Sequence, residues 1–215
     1  LTAGPAITPA TPHMMRMGKL DGYFFDGLPQ QMTDRLETAF SQMKAAGMGI
    51  YPARLPEANE RVEYFRKLFP TTILATLGKD RFLAEREKID PVIARRIQSG
   101  LQIPAYVLHA LEERRRNSIL ASNARLSAYD ALLSPTVPIF APPLVEFDDE
   151  DRALEMALGM SRNSQPANYL ELVALSIPCR TSEGQLPAGL QLFGKAGRDA
   201  EILGMAMAIE TILSK

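Results

Sequence analysis

This sequence has little of what several classes of protein require. It contains one cysteine in 215 residues, so no disulfide bond can form within the chain, and a reducing, cytoplasmic setting is favoured. Its only histidines, His13 and His109, fall on separate predicted elements. Neither they nor Cys179 show the spacing of a metal site or of a Ser-His-Asp triad. We therefore expect no metal and no cofactor, and Cys179 is interpreted as a small core residue.

Long apolar stretches and an excess of positive charge are also missing. No apolar run approaches the roughly 18 residues that a membrane span needs, and Leu1–Met17 has no hydrophobic signal core. The net charge is −1, which gives no support for binding to nucleic acid or to an acidic membrane. The basic triplet Arg114–Arg116 follows two glutamates without interleaved aromatics, and it is interpreted as a solvated helix face.

The residues that are present are typical of a globular α/β domain. Apolar residues make up 46% of the chain and charged residues 23%, which is enough to build a core. Prolines at positions 5, 9 and 12 mark residues 1–15 as an extended connector, and residues 16–215 are expected to form the domain. Apolar positions at helical spacing predict a helix over Pro29–Ala46 between two strands, an order that implies parallel neighbours.

The rest of the chain continues this pattern. Residues 57–130 are helical and charged, with the longest helix predicted over Ala105–Ala128. Two apolar strands then flank a turn at Thr181–Gln185, and a last helix begins near Asp199. The expected fold is a mixed β-sheet flanked by helices, with five strands near residues 17–25, 48–55, 130–135, 171–178 and 187–193.

Two motifs resemble known signatures but have the wrong setting. Gly189–Ala196 approaches a phosphate-binding loop, yet its residues are strand-like and apolar, and Ala196 lacks the hydroxyl that would hold magnesium. Ser41 and Lys44 fit the Ser-x-x-Lys pattern of penicillin-recognising enzymes, but they fall in an amphipathic helix and the partner motifs are missing. Both are interpreted as structural segments.

The most specific motif lies near the C-terminal end. Leu186–Gly194 reads Leu-Pro-Ala-Gly-Leu-Gln-Leu-Phe-Gly, and an apolar run ending in Pro178-Cys179 precedes it. Tyr129–Thr136 ends in Asp-Ala-Leu-Leu-Ser-Pro-Thr. These segments resemble the C-terminal signature of the amidase signature family, which includes a glutamyl-tRNA amidotransferase branch. The resemblance implies the C-terminal part of the amidase signature fold.

Members of that family cleave amides with a Ser nucleophile, a second Ser in a cis peptide and a Lys. These residues belong to a Gly/Ser-rich region N-terminal to the segments found here, and no such run occurs in this sequence, so no catalytic residue is assigned. With leucine at position 1, this predicts a truncated product, a split gene or an expressed fragment. A missing half would leave one sheet edge and one face apolar and exposed, which predicts self-association or a complementary chain.

The resemblance also predicts three substrate-binding residues. Arg96, in Arg95–Gly100, matches the arginine that grips the substrate carboxylate in the amidotransferase branch, a role that suits a bidentate guanidinium; the alternative is a surface arginine. Arg162 belongs to an Arg-Asn element near the pocket mouth in amidases of small carboxylated amides. Asn168 lies at the pocket edge, where it either contacts substrate or ties loops together. Ser161, where the amidotransferase branch has Asp, argues against glutaminyl substrates.

The function that this resemblance implies is the C-terminal portion of a cytoplasmic amidase that hydrolyses a small amide or urea-like C–N bond. Alone, such a chain would be inactive, and its partners would be a small-molecule amide and an N-terminal half, without nucleic acid or membrane. The alternative is a non-catalytic partner subunit or a degenerate amidase remnant. An upstream reading frame that encodes the Ser/Ser/Lys segment would favour the enzyme.

Overall fold

The computed structural model describes residues 6–179 and 184–214, with only the main chain of Glu150. Among these residues, five strands form one sheet in the order β2-β1-β3-β5-β4. β1 is parallel to β2 and β3, and β5 is antiparallel to β3 and β4. The predicted mixed sheet and the predicted parallel first pair are therefore confirmed. The strands are β1 (Arg16–Leu20), β2 (Gly49–Ala53), β3 (Ala131–Pro135), β4 (Val173–Cys179) and β5 (Ala188–Gly194).

Helices cover both faces of this sheet. The α-helices of the described residues are α1 (Gln30–Ala45), α2 (Arg61–Leu77), α3 (Lys79–Glu85), α4 (Pro91–Gln98), α5 (Ala105–Leu126), α6 (Glu150–Met160), α7 (Gln165–Leu170) and α8 (Asp199–Leu213). The predicted helix over 29–46 is confirmed as α1, and it ends before Gly47, whose φ of +94° suits glycine. Asp90 begins α4 because its carboxylate accepts hydrogen bonds from two main-chain N–H groups of the first turn.

One sheet face packs against α1 and α8. Successive strand residues point to opposite faces, so Leu133 and its register partner Leu192 face this layer. On α1, residues at helical spacing are buried against them, from Met32 to Met43. Ile202 and Ile209 of α8 close the same core. Each fully buried side chain of this kind stabilises the fold by about 1.5–3 kcal/mol.

The opposite face packs against α5 and α7. Leu132 and Phe193, the neighbours in sequence of the first pair, contribute to this second core. Tyr169 of α7 is almost completely buried in it, and its ring lies edge-on to Tyr64 of α2 with centroids 5.2 Å apart. α2 packs against α5 and α7 of this second layer, and α4 packs against α2.

The first strand is shorter than the sequence predicts. β1 ends at Leu20, and a 3-10 turn occupies Gly22–Phe24 in place of its second half. Gly22 has a φ of +62°, a left-handed conformation that interrupts a strand. The break turns Phe24 into the second core.

The sequence also predicts that one sheet edge and one face are apolar and exposed. The two helix layers bury the centre of the described sheet on both sides, and β2 and β4 are its outer strands. On β4 the exposed positions are Ala174, Ser176 and Pro178, which are small or polar. Among the described residues, α1, α5, α7 and α8 cover most of the apolar strand side chains, while Tyr51 of the outer strand β2 is 43% exposed. The exposed apolar edge and face stay a prediction.

No helix within the described residues combines the length and hydrophobicity that a bilayer crossing requires.

Candidate functional site

An open pocket of about 380 Å³ lies between α2, α4 and α6, beside the start of α7. Four arginines line it: Arg61 and Arg66 of α2, with Arg95 and Arg96 of α4. Its other walls are mainly apolar, from Val62, Phe65, Leu154 and Leu158. A small cavity with apolar walls and a few charged groups is the usual form of a small-molecule site.

Arg96 lies on the pocket wall, where the sequence predicts a substrate-binding residue. α4 buries its neighbour Ile97 in the protein, which turns Arg96 toward α2. Its guanidinium carbon lies 3.9 Å from the centroid of the Phe69 ring, a distance at which cation and ring attract. Partial burial lowers the pKa of Arg96, although an arginine stays charged at neutral pH. The Phe69 ring thus holds a charged group at the pocket.

Arg95 has a different environment from Arg96. Its Nη2 atom lies 2.6 Å from Oδ1 of Asp151 on α6, and both side chains are more than half exposed. This ion pair links Arg95, a lining residue of the pocket on α4, to Asp151 of α6. An exposed pair of this kind contributes little to stability, but it gives the Arg95 guanidinium a carboxylate partner from the protein itself.

Arg61 is a pocket residue that the sequence analysis missed. It is only 5% exposed, and its Nε and Nη1 atoms donate hydrogen bonds to the main-chain carbonyls of Arg162 and Ala58, at 3.0 and 3.2 Å. Its guanidinium also lies over the Tyr23 ring, 4.6 Å from the centroid. Burial lowers the pKa of Arg61. Nothing local in the charged stretch around it indicates burial, because the Arg162 carbonyl and the Tyr23 ring come from distant segments.

Arg162 lies next to the pocket rather than in its wall. Its Nη2 atom donates to the carbonyl of Asp26 at 2.8 Å and its Nε to Oδ1 of Asn163 at 3.3 Å. Its own carbonyl holds Arg61. Arg162 therefore reaches the pocket through Arg61, and its direct contact with a substrate stays a prediction.

Asn163, the neighbour of Arg162, ties three segments together. Its side chain is fully buried, and its amide nitrogen donates to the carbonyls of Phe24 and Pro135 at 2.9 and 3.0 Å. Those segments lie 139 and 28 residues away along the chain. This is the loop-tying role that the sequence analysis considered for Asn168.

The side chain of Asn168 is exposed. Its carbonyl and that of Tyr169 accept hydrogen bonds from Arg115, at 3.3 and 2.8 Å, and Arg115 also pairs with Glu171 at 3.0 Å. Substrate contact by the Asn168 side chain stays a prediction. The interpretation of Arg114–Arg116 as a solvated face is wrong for Arg115, because this residue clamps the end of α7 to α5.

A buried hydroxyl lies behind Arg61. Within the described residues, the Tyr23 hydroxyl oxygen is buried without a hydrogen-bond partner. Burial raises the pKa of this phenol, and the nearby charges of Arg61 and Arg162 oppose the shift. The phenol is therefore neutral at physiological pH, and its ring serves as the surface against which Arg61 packs.

The structural interpretations of the motif-like segments are confirmed. Ser41 and Lys44 are exposed on α1, and the Ser41 hydroxyl donates to the carbonyl of Glu37 at 2.8 Å. Gly189 to Gly194 lie in strand β5 and form no phosphate loop.

Cys179 is buried, and burial raises the pKa of its thiol to about 11, which disfavours the nucleophilic thiolate. Within the described ranges, no cluster of three potential metal ligands occurs.

The chain belongs to the amidase family, whose sequence model matches residues 7–203. It is 28% identical over 218 residues to 2-amino-5-chloromuconic acid deaminase of Comamonas testosteroni, covering 98% of this chain and 46% of that protein. It is also 33% identical over 136 residues to one of the subunits of glutamyl-tRNA(Gln) amidotransferase from Syntrophomonas wolfei, covering 60% of this chain and 26% of that protein. The chain thus spans about half or less of the length of these relatives.

Solved structures show the same fold. The Kluyveromyces lactis allophanate hydrolase matches with a TM-score of 0.79 at 21% identity, over 96% of this chain and 33% of that one. A 6-aminohexanoate cyclic dimer hydrolase matches with a TM-score of 0.80 at 18% identity, over 96% and 46%. The predicted family and fold class are confirmed.

Proposed function

We propose that this chain forms the substrate-pocket part of an amidase that hydrolyses the C–N bond of a small, carboxylate-bearing amide. A Ser/cis-Ser/Lys segment, which this sequence does not contain, would supply the chemistry. The observation that carries the proposal is Arg96, a charged group held on the wall of a small pocket by Phe69. Its guanidinium presents the flat pair of donors that a carboxylate needs.

The chemistry follows from the family resemblance. The Lys and the second Ser take the proton of the nucleophilic serine as its oxygen attacks the amide carbon, and this proton passes to the nitrogen as the C–N bond breaks and ammonia or an amine leaves. Water then hydrolyses the acyl-enzyme to a carboxylate and restores the serine hydroxyl. Main-chain N–H groups stabilise the negative oxygen that forms on the way. In this scheme Arg96 anchors the substrate away from the reacting bond, which fixes the amide carbon relative to the nucleophile.

The named relatives support the substrate class and the need for a second part. The Comamonas protein is named for an amino- and chloro-substituted muconic acid, whose carboxylate groups agree with the carboxylate of the proposed substrate, although its C–N bond is that of an amine and not of an amide. Another relative is named as one subunit of an amidotransferase. The chain matches about half or less of each, which agrees with a function completed by another segment or chain.

The test requires a complete enzyme, so the chain is joined through its N-terminus to the Ser/Ser/Lys-containing segment of the Comamonas relative. We call this polypeptide the reconstituted enzyme. Adipamate, which carries a carboxylate, and hexanamide, which does not, serve as substrates. Arg96→Gln is expected to lower kcat/KM for adipamate about ten- to a hundredfold, because a charge-assisted contact contributes about 1.5–3 kcal/mol. The variant is expected to spare hexanamide.

Arg95→Gln is the matched control, because it removes the same charge one position along the helix. Its guanidinium already pairs with Asp151, so adipamate hydrolysis is expected to change less than about threefold, as for a charge that the protein itself neutralises. Equal losses for the two variants, or equal losses for the two substrates, would contradict the assignment of Arg96.

The second candidate is a non-catalytic partner subunit or a degenerate remnant, as the missing Gly/Ser-rich run suggests. Both candidates include the pocket, but only the enzyme requires a Ser/Ser/Lys segment that works with it. An upstream reading frame for that segment favours the enzyme, and a cytoplasmic location stays a prediction for either.

A further inference from the structure

The pocket presents positive charge on two of its walls. Arg61 and Arg66 come from α2, and Arg95 and Arg96 come from α4. No acidic side chain lines this pocket in the part of the chain that the structure describes. Asp151 reaches only Arg95, from α6. A ligand seated between α2 and α4 therefore meets guanidinium groups on both sides.

Three of these arginines have no carboxylate partner within residues 6–179 and 184–214. Arg61 is held by main-chain carbonyls and the Tyr23 ring, and Arg96 by the Phe69 ring. Arg66 is exposed beside them. Partly buried charges of one sign are costly unless a counter-charge is present. The pocket is thus short of negative charge on the α2 side as well as on the α4 side.

Apart from the arginines, the lining is mainly apolar, with Ser99 and Gln165 as its uncharged polar members. Phe65 of α2 and Leu154 and Leu158 of α6 line the apolar part, and the cavity of about 380 Å³ suits a small molecule. A ligand that matches these features has an apolar middle and a negative group at each end.

We infer that the pocket takes a small dicarboxylate, with one carboxylate on Arg96 of α4 and the other on Arg61 and Arg66 of α2. This inference rests on the proposed function, in which Arg96 holds the first carboxylate, and it adds a second anchoring point on α2. The carbonyls of Arg162 and Ala58 fix the Arg61 guanidinium before the ligand arrives, so this side chain loses little conformational freedom on binding. Arg66, whose side chain is exposed, provides the second guanidinium that binds this carboxylate.

The test is direct binding to the 215-residue chain, measured by titration calorimetry at constant low ionic strength. The probes are adipate, hexanoate and adipamide, which share a six-carbon body and carry two, one and no carboxylates. Adipate is expected to bind about tenfold more tightly than hexanoate, and adipamide more weakly than both. Raising the salt concentration is expected to weaken adipate binding more than hexanoate binding.

Variants identify the second anchoring point. Arg66→Gln is expected to reduce adipate affinity about fivefold, which removes part of its advantage over hexanoate because Arg61 remains, and to leave hexanoate affinity unchanged. Arg96→Gln is expected to weaken both ligands. Arg116→Gln, which removes the same charge from the exposed face of α5, is the control and is expected to change neither. Arg61→Lys, with its thermal midpoint measured in parallel, tests the buried anchor without removing its charge.

Equal affinities for adipate and hexanoate would overturn the inference, as would loss of the same size in Arg66→Gln and Arg116→Gln. These outcomes are distinct from a failure of the proposed function, because binding is measured without hydrolysis. If the reconstituted enzyme cleaves adipamate while adipate shows no advantage, only the dicarboxylate assignment is wrong. If adipate binds as expected and adipamate is not cleaved, the ligand assignment stands and the hydrolytic function fails.

Discussion

Replacing Asn163 by alanine removes a buried tie between three segments that meet beside the pocket. The fully buried Asn163 amide donates to the carbonyls of Phe24 and Pro135. In the alanine variant the Phe24 carbonyl loses this donor, while the Pro135 carbonyl keeps a 3.0 Å hydrogen bond from the Ser134 hydroxyl. Leaving a buried polar group without a partner costs about 1–3 kcal/mol. The full loss at Phe24, the partial loss at Pro135 and the loss of the Oδ1 atom that accepts from Nε of Arg162 at 3.3 Å together predict a destabilisation of about 2–4 kcal/mol.

Urea unfolding followed by circular dichroism measures this cost. With an m-value of about 2 kcal/mol per molar urea, the midpoint is expected to fall by about 1–2 M. This loss is smaller than the roughly 5–15 kcal/mol by which folded domains are commonly stable, so the variant is expected to remain folded without urea.

Asn168→Ala is the matched control. The Asn168 side chain is exposed on α7, and an exposed substitution of this type changes stability by less than about 0.5 kcal/mol. Equal midpoints for Asn163→Ala and Asn168→Ala would refute the reasoning, because they would show that the buried amide contributes nothing that the exposed one lacks.

Two further predictions concern the sheet. Gly189→Val is expected to destabilise the fold by about 1–3 kcal/mol, because a Cβ at this position would lie 2.6 Å from Oγ1 of Thr136 and 2.8 Å from Oγ of Ser176; an unchanged urea midpoint would show that the glycine is incidental. Cys179 is expected to react with iodoacetamide at pH 8 about a hundredfold more slowly in the folded chain than in roughly 6 M urea, because burial raises the pKa of its thiol from 9.0 to about 11. The same shift predicts that the thiol's contribution to stability is complete below pH 9.0 and is lost as the pH rises toward 11. Equal alkylation rates in the two states would contradict this burial.

The sequence predicts the elements of this fold that depend on local patterns. α1 follows from apolar residues at helical spacing between Pro29 and Gly47, and β5 from the apolar run before Gly194. The close approach of other groups to Gly189 and Gly194 was also predictable, because glycine inside an apolar strand indicates it. The early end of β1 was not, since the break at Gly22 depends on how Phe24 enters the second core.

The candidate site shows the same division. Arg96 was predicted from the resemblance of Arg95–Gly100 to a family element, and α4 places it on the pocket wall; its contact with a substrate stays a prediction. Arg61 was missed because its carbonyl partner on Arg162 lies 101 residues away. Asn163 and Asn168 are close together in the sequence, and only the packing around α7 decides which of them is buried. Burial of polar residues depends on distant contacts, which no local pattern encodes.

We propose that this chain provides the pocket of an amidase and depends on another segment for the reaction. The most direct measurement is ammonia release from adipamate by the 215-residue chain alone and by the reconstituted enzyme, after each shows a cooperative unfolding transition. We expect no ammonia release above the buffer rate from the chain alone. We expect steady ammonia release from the reconstituted enzyme, and a serine-directed reagent should abolish it. Steady release by the chain alone, or none from a folded reconstituted enzyme, would contradict this proposal.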